Sequence, residues 1–173
     1  MIKTIDIEIA ILREFDHVRN IIVNGVTNAS ILPIYFEADM LILTKSNYAH
    51  AVEIKISKSD LKNDLKKKHI KLLECNFYKY LDLYYEKLKH FSYAVPIELK
   101  ESALEQIPDF CGLLVYEENT YPRPNRLICH RTPKQLSNYK WTDKERYELA
   151  RLGTMRILGL KENIRSLDKR TEE

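Results

Sequence analysis

The stretch Ala51–His69, AVEIKISKSDLKNDLKKKH, decides how the chain is read. It begins as a short apolar run of strand length and ends as a lysine-rich helical pattern, with Glu53 and Lys55 set into its most apolar part. Side chains alternate across a strand, so Val52, Ile54 and Ile56 point to one face while Glu53 and Lys55 share the other. Ser57-Lys58-Ser59-Asp60 has the form of a capping box and opens a helix whose buried face is Leu61, Leu65 and Leu72.

Upstream, ILPIYFEADMLILT (Ile31–Thr44) reads as extended, with Pro33 demoting its first half to an edge strand or an irregular lead-in. Only Lys45-Ser46-Asn47 separates this run from Tyr48–Ile56, which predicts two neighbouring antiparallel strands. Further back, Ile7, Ile11, Phe15, Val18 and Ile22 recur at helical spacing, so a first helix is expected from about Thr4 to Asn24, stopped by Asn24-Gly25. Glu14 falls inside that apolar stripe.

Downstream, Phe77, Leu81, Tyr84 and Leu88 predict a further helix. FSYAVP (Phe91–Pro96) and CGLLVY (Cys111–Tyr116) predict strands, with a short helix over Glu98–Gln106 between them. A surface loop follows over Glu117–Arg126, then a last strand in LICHR (Leu127–Arg131) and a C-terminal docking helix started by Thr142 and running to about Leu160. A helix, then strands, then mixed helices and strands imply an α/β or α+β layering around one sheet.

Composition agrees with this. A chain of 173 residues, 45% apolar and 31% charged, can bury one real core, so a single domain over residues 1–173 is expected, with its core at about 5–131. No apolar run is long enough to span a bilayer and the N-terminus lacks the order of a secretory signal, so the expected setting is cytoplasmic, without membrane partners. Cys75, Cys111 and Cys129 are odd in number and lack a C-x-x-C pair, so they read as reduced thiols. The net charge of +3 is too small to argue for nucleic acid, and any basic patch must be local.

Asp39 lies on the strand before Glu53 and Lys55, and the short turn brings the two strands to about 5 Å apart. Two carboxylates and an ammonium then share one small site. Hard oxygen ligands of this kind suit Mg²⁺, which is held by one or two carboxylates together with substrate phosphate. The chemistry such a trio serves is metal-assisted hydrolysis of a phosphodiester, with Lys55 orienting water or steadying charge on phosphorus. An E-x-K pair taken alone is more often an exposed pair on the solvated side of an edge strand.

At these residues the chain resembles a known family. EAD at Glu37–Asp39 followed by EIK at Glu53–Lys55 is similar to the D…(D/E)-x-K signature of the PD-(D/E)XK nuclease superfamily, the restriction-endonuclease-like fold. With SKSD, KKKH, YAVP and GLLVY downstream, the region Ile5–Tyr116 further resembles the MmcB-like DNA-repair branch. The proline that names the motif is Ala38 here, which leaves each ligand in place. The resemblance implies an αβββαβ core with a central mixed sheet flanked by helices, and a Mg²⁺-dependent deoxyribonuclease in which Mn²⁺ can substitute. It implies that Asp39, Glu53 and the backbone carbonyl of Ile54 hold the metal and that Lys55 is the base or water-orienting residue. An acid on the first helix often completes such sites, and Glu14 is the candidate. A nuclease-like DNA-binding adaptor without turnover is the alternative.

Lys66, Lys67, Lys68, His69 and Lys71 follow the site directly and are candidates for DNA phosphate contacts, since such lysines supply most non-specific affinity. A solvated helix face is the plainer role for the same run. Aromatics interleave with lysine between Phe77 and Tyr93, as in a base-stacking platform, although their helical spacing favours core packing. Arg123 and Arg126 stand in the loop as further cations. Enzymes that cut both strands often pair, so a homodimer is a possible assembly.

Overall fold

The computed structural model of the chain describes residues 2–26, 38–64, 87–118 and 126–171. Glu37, the run from Lys66 to Lys71, the helical pattern from Phe77 to Tyr84, Pro33, Cys75 and Arg123 lie outside the described residues.

The described elements run α1 (Thr4–Glu14), β1 (Ile21–Val26), β2 (Ala38–Leu43), β3 (Ala49–Ile54), α2 (Lys58–Asp64), β4 (Leu88–Pro96), a 3-10 turn (Ile97–Leu99), α3 (Lys100–Gln106), β5 (Gly112–Glu117), β6 (Arg126–Arg131) and α4 (Asp143–Thr171). They open in the αβββαβ order and make an α/β fold. The strands form one six-stranded sheet in the order β1-β2-β3-β4-β5-β6. β1, β2 and β3 pair antiparallel, β3, β4 and β5 pair parallel, and β6 returns antiparallel to β5. The sheet is therefore mixed, and helices flank it.

The first helix is shorter than its apolar stripe suggests. It ends at Glu14; Phe15 caps it, and Asp16 takes a left-handed φ of 50°. Asn20 locks the exit, its side-chain amide donating to the Phe15 carbonyl at 2.6 Å and its Oδ1 accepting from the Lys45 N–H at 2.9 Å. Val18, counted in the stripe, is 83% exposed. Ile21-Ile22-Val23 then enters a strand, where β-branched side chains suit the pleat. This corrects the expected helix to Asn24: residues 21–26 are the first strand of the described sheet. Gly25, expected to stop a helix, instead sits inside β1 with φ +59°. Leu88, expected on a helix, opens β4 and is fully buried.

The expected turn and caps are present, while Leu65 and Leu72 lie outside the described residues. The Thr44–Tyr48 turn joins β2 to β3, with Asn47 at φ 67° and its N–H donating to the Thr44 carbonyl at 2.9 Å. Ser57 caps α2 through the Asp60 N–H at 3.1 Å, and Leu61 is buried. Thr142 starts α4 by a reciprocal box, its backbone N–H donating to Glu145 Oε2 at 2.8 Å and its hydroxyl accepting from the Glu145 N–H at 3.3 Å. The helix continues well past Leu160, to Thr171.

Both faces of the sheet are covered, and β3 alternates between two cores. Val52 and Ile54 join Ile7, Ala10, Ile11, Met40, Ile42 and Ala94 beneath α1. Ala49 and Ala51 join Leu61, Phe91, Tyr93, Trp141 and Leu149 on the opposite side. Trp141 ties the approach to α4 down, donating from Nε1 to the Lys87 carbonyl and from its backbone N–H to the Asn47 carbonyl, each at 2.8 Å.

Candidate metal and phosphodiester site

The register of β2 and β3 pairs Met40 with Val52, so Asp39 enters β2 beside the point where Glu53 leaves β3. Lys55 is one residue past the strand but keeps its direction, because its N–H donates to the Ala94 carbonyl at 3.0 Å. Lys55 Nζ stands 2.9 Å from Glu53 Oε2 and 3.6 Å from Asp39 Oδ2. Asp39 Oδ2 also accepts the Ile54 N–H at 2.8 Å, which holds the carboxylate against β3. The three charged tips that sequence spacing places together are together.

Their burial differs in a useful way. The Glu53 and Lys55 side chains are 3% and 6% exposed, whereas that of Asp39 is 38% exposed. The site is thus a buried ion pair with one carboxylate at its mouth. Removing a carboxylate and an ammonium from water costs several kcal/mol per ion, by a typical figure of ~20 kcal/mol before relaxation, and close pairing offsets this only in part. An apolar pair at 53 and 55 would serve stability as well or better. The charges are costly where they stand, so they ask for a chemical use.

The donor set fits a hard divalent cation. Asp39 and Glu53 supply carboxylate oxygens from adjacent strands, and the Ile54 carbonyl lies between Glu53 and Lys55 in sequence. Among the described residues no group of three or more His, Cys, Asp or Glu side chains comes together. Two carboxylates are within what Mg²⁺ uses when water and phosphate complete its shell.

Glu14 is not brought to this cluster: it is exposed in the last turn of α1. The acid of α1 that senses the site is Glu8, whose carboxyl is pushed up by burial and then by the charge of Asp39. That influence is electrostatic; α1 itself packs over the face that carries Val52 and Ile54. The sequence signal was a second acid beside the same stripe, and nothing in periodicity tells which end of a helix overlies a strand tip.

A second polar cluster lies earlier on β3, and no spacing in the sequence marks it. His50 pairs with His90 across β3 and β4, their rings 5.5 Å apart, and Phe15 meets His50 edge-on at 5.0 Å. His50 Nε2 shares a hydrogen bond with Ser92 Oγ at 3.0 Å. Burial, then the neighbouring His90, pushes the His50 pKa down to about 3, so the ring is neutral. Gly112, paired with Ser92, makes room: a Cβ there would come within 2.3 Å of Ser92 Oγ and 2.8 Å of Pro133.

Arg126 is exposed at the start of β6. Among the described residues Cys111 is buried and Cys129 exposed. No helix among the described residues is long and apolar enough to cross a membrane.

No protein-family model matches the chain, and no curated protein matches it in sequence. A solved structure, the SPO1766 protein of unknown function from Silicibacter pomeroyi, is similar to it with a TM-score of 0.55 and 16% identity, over 94% of this chain and 90% of that one. At that identity the likeness is one of fold.

Proposed function

We propose that the protein is a Mg²⁺-dependent nuclease that hydrolyses DNA phosphodiester bonds at Asp39, Glu53 and Lys55, in the manner of the PD-(D/E)XK superfamily it resembles. One observation carries this reading: a buried Glu53–Lys55 pair at 2.9 Å with the half-open Asp39 carboxylate 3.6 Å from the same ammonium. Asp39, Glu53 and the Ile54 carbonyl would hold the cation, which when bound supplies Lewis acidity toward a phosphate oxygen and an attacking water. Asp39, at the mouth, meets the incoming phosphate side. The Ile54 N–H fixes the Asp39 carboxylate, so little reorganisation is needed when charge arrives. Lys55 keeps the two acids from repelling each other and presents a positive donor to charge developing on the phosphoryl oxygens. Burial, and then the charge of Asp39, hold the Glu8 carboxyl toward its neutral form.

A second reading, a nuclease-like DNA-binding adaptor without turnover, draws on a different observation. Lys55 already neutralises the carboxylates, and no third ligand-type side chain joins them among the described residues.

The deciding experiment incubates the purified chain with single-stranded, double-stranded and branched DNA, with Mg²⁺ or Mn²⁺, beside Asp39→Asn, Glu53→Gln and Lys55→Ala. Metal-dependent cleavage that all three variants lose, while keeping their circular dichroism, supports the enzyme. A variant that cuts at the wild-type rate removes its residue from the site. DNA binding without cleavage in every metal and on every substrate supports the adaptor.

A further inference from the structure

The β2–β3 turn and the start of β4 border a small cavity at the end of the sheet away from Glu53. It holds about 150 Å³, the room of roughly five waters, and Thr44, Ser46, Tyr48, His50, Lys89 and His90 line it. Its described walls carry donors and no acid. Lys89 Nζ rests 3.7 Å from the Tyr48 ring centroid, and Lys140 Nζ reaches the same ring at 5.5 Å. Among the described residues neither ammonium has a carboxylate partner, whereas Lys87, two residues before Lys89, is neutralised by Glu145 at 2.8 Å. A ring face steadies a cation without cancelling its charge. The positive charge therefore stays open to the cavity.

His90 adds a second donor. No hydrogen bond occupies either of its ring nitrogens among the described residues, and the edge-on His50 ring, 5.5 Å away, holds it in place. Burial and then the Lys89 charge push its pKa down, and no acid opposes them. Thr44 is occupied by the turn, its hydroxyl donating to the Tyr48 carbonyl at 3.0 Å and accepting the Tyr48 N–H at 3.1 Å. Ser46, exposed and 3.1 Å from the Thr44 hydroxyl, is the hydroxyl that can turn inward.

Such a set selects among ligands. A divalent cation is opposed by Lys89, and no third His, Cys, Asp or Glu joins the two imidazoles among the described residues. An oxyanion gains from both ammonium groups and accepts hydrogen bonds from Lys89, His90 and Ser46. Two ammonium groups beside an imidazole favour the two negative charges of a phosphate monoester or free phosphate over the single charge of a diester.

We propose that this cavity binds a phosphate dianion, either inorganic phosphate or the terminal group of a small monoester, held by Lys89 and His90 with the Ser46 hydroxyl added and Lys140 attracting it. The site goes beyond the nuclease reading and does not rest on it, because the cavity and the Asp39–Glu53–Lys55 group stand at opposite ends of β3.

The test titrates the full chain, stripped of metal on a chelating resin, with inorganic phosphate at an ionic strength held constant by chloride. Calorimetry and the imidazole resonances of His90 are the readouts. Saturable binding with a Kd at or below about 1 mM is expected, with a shift at His90 larger than at His130, which is exposed on β6. Lys89→Met, which keeps an unbranched stem over Tyr48, and His90→Gln should each weaken binding at least about tenfold with circular dichroism unchanged. The His90 shift is read in the wild-type chain, so it decides even where a variant fails to fold. A nucleoside 5′-monophosphate should compete with phosphate, and a dinucleoside monophosphate, a diester, should not. A monophosphate that binds more tightly than phosphate makes a nucleotide the source, and one that binds more weakly makes it free phosphate; both support the site. Failure to saturate, a response no larger than that to chloride, competition by the diester equal to that by the monoester, or variants that bind as the wild type does overturns the proposal.

Discussion

Strand β3 carries two polar devices three residues apart, one buried and one part-buried, and they meet the cost of leaving water in opposite ways. Glu53 stays beside a cation, Lys55, with Asp39 at the edge. His50, on the other face of the strand, stays uncharged and takes one hydrogen bond from or to Ser92. The first device concentrates charge where solvent can still reach Asp39. The second removes charge among rings and a close-packed glycine. A buried ion pair is a poor way to gain stability and a good way to hold a reactive site, whereas a neutral histidine among aromatics is chiefly packing. The contrast sets a charged group against a neutral one within one strand.

The sharpest way to break that contrast is Lys55→Ala. It leaves Glu53 buried without its cation, and the expected loss is about 3–5 kcal/mol in denaturant unfolding. A loss below about 1 kcal/mol would mean that water, not Lys55, compensates the acid.

Gly112→Ala attacks the neutral device. The added methyl meets Ser92 Oγ and Pro133 at distances no real Cβ tolerates, so strands β4 and β5 must part or Ser92 must leave His50. A loss of about 3 kcal/mol, at the upper end for overpacking, is expected from thermal or chemical unfolding. A wild-type midpoint would show that the sheet yields there.

Acid sensitivity discriminates the two devices by pH. The folded His50 pKa of about 3 lies below the ordinary 6.5, so its stabilisation is complete above pH 6.5 and is lost as pH falls toward 3. Between pH 6.5 and 5 the loss is about 2 kcal/mol. His90, lowered by burial and then by Lys89, acts in the same direction. Glu145 enters only below pH 4.5: burial works to raise it, but hydrogen bonds from Lys87, Thr142 and Tyr139 outweigh this and hold it at about 2. Stability curves of wild type and His50→Gln should therefore diverge in slope between pH 6.5 and 5, the variant being flatter. Parallel curves would take His50 out of the account.

The smallest effect is expected at Glu8. Its carboxyl is raised, so folding disfavours its charge and stability improves as pH falls through the raised value. Glu8→Gln should then stabilise the protein at neutral pH by less than about 1 kcal/mol. It should also diminish any thermal stabilisation by Mg²⁺ if Glu8 supports the cation at Asp39, and leave that stabilisation whole if it is only a neighbour.

How far these features could be read in advance differs between elements. The β2–β3 hairpin, the capped α2 and the strands at Phe91–Pro96 and Cys111–Tyr116 carry their own signals, because turns, caps and apolar runs act over a few residues. The first helix misled because Val18 and Ile22 fall on helical spacing by coincidence, and Asn20, whose two contacts reach Phe15 and Lys45, ended it from outside the pattern. Glu14 was chosen by that same stripe. Glu8 is the acid of α1 that the charge of Asp39 reaches, and only the way α1 lies across the sheet distinguishes the two.

Local chemistry along the chain was enough for the α/β class, the two-strand turn and the grouping of Asp39, Glu53 and Lys55, since alternation and one short connection leave few other arrangements. Which acid of α1 attends that group, the quiet pairing of His50 with Ser92 over Gly112, and the cavity beside Lys89 emerge from long-range packing. Contacts between residues far apart in sequence have no periodicity of their own to read.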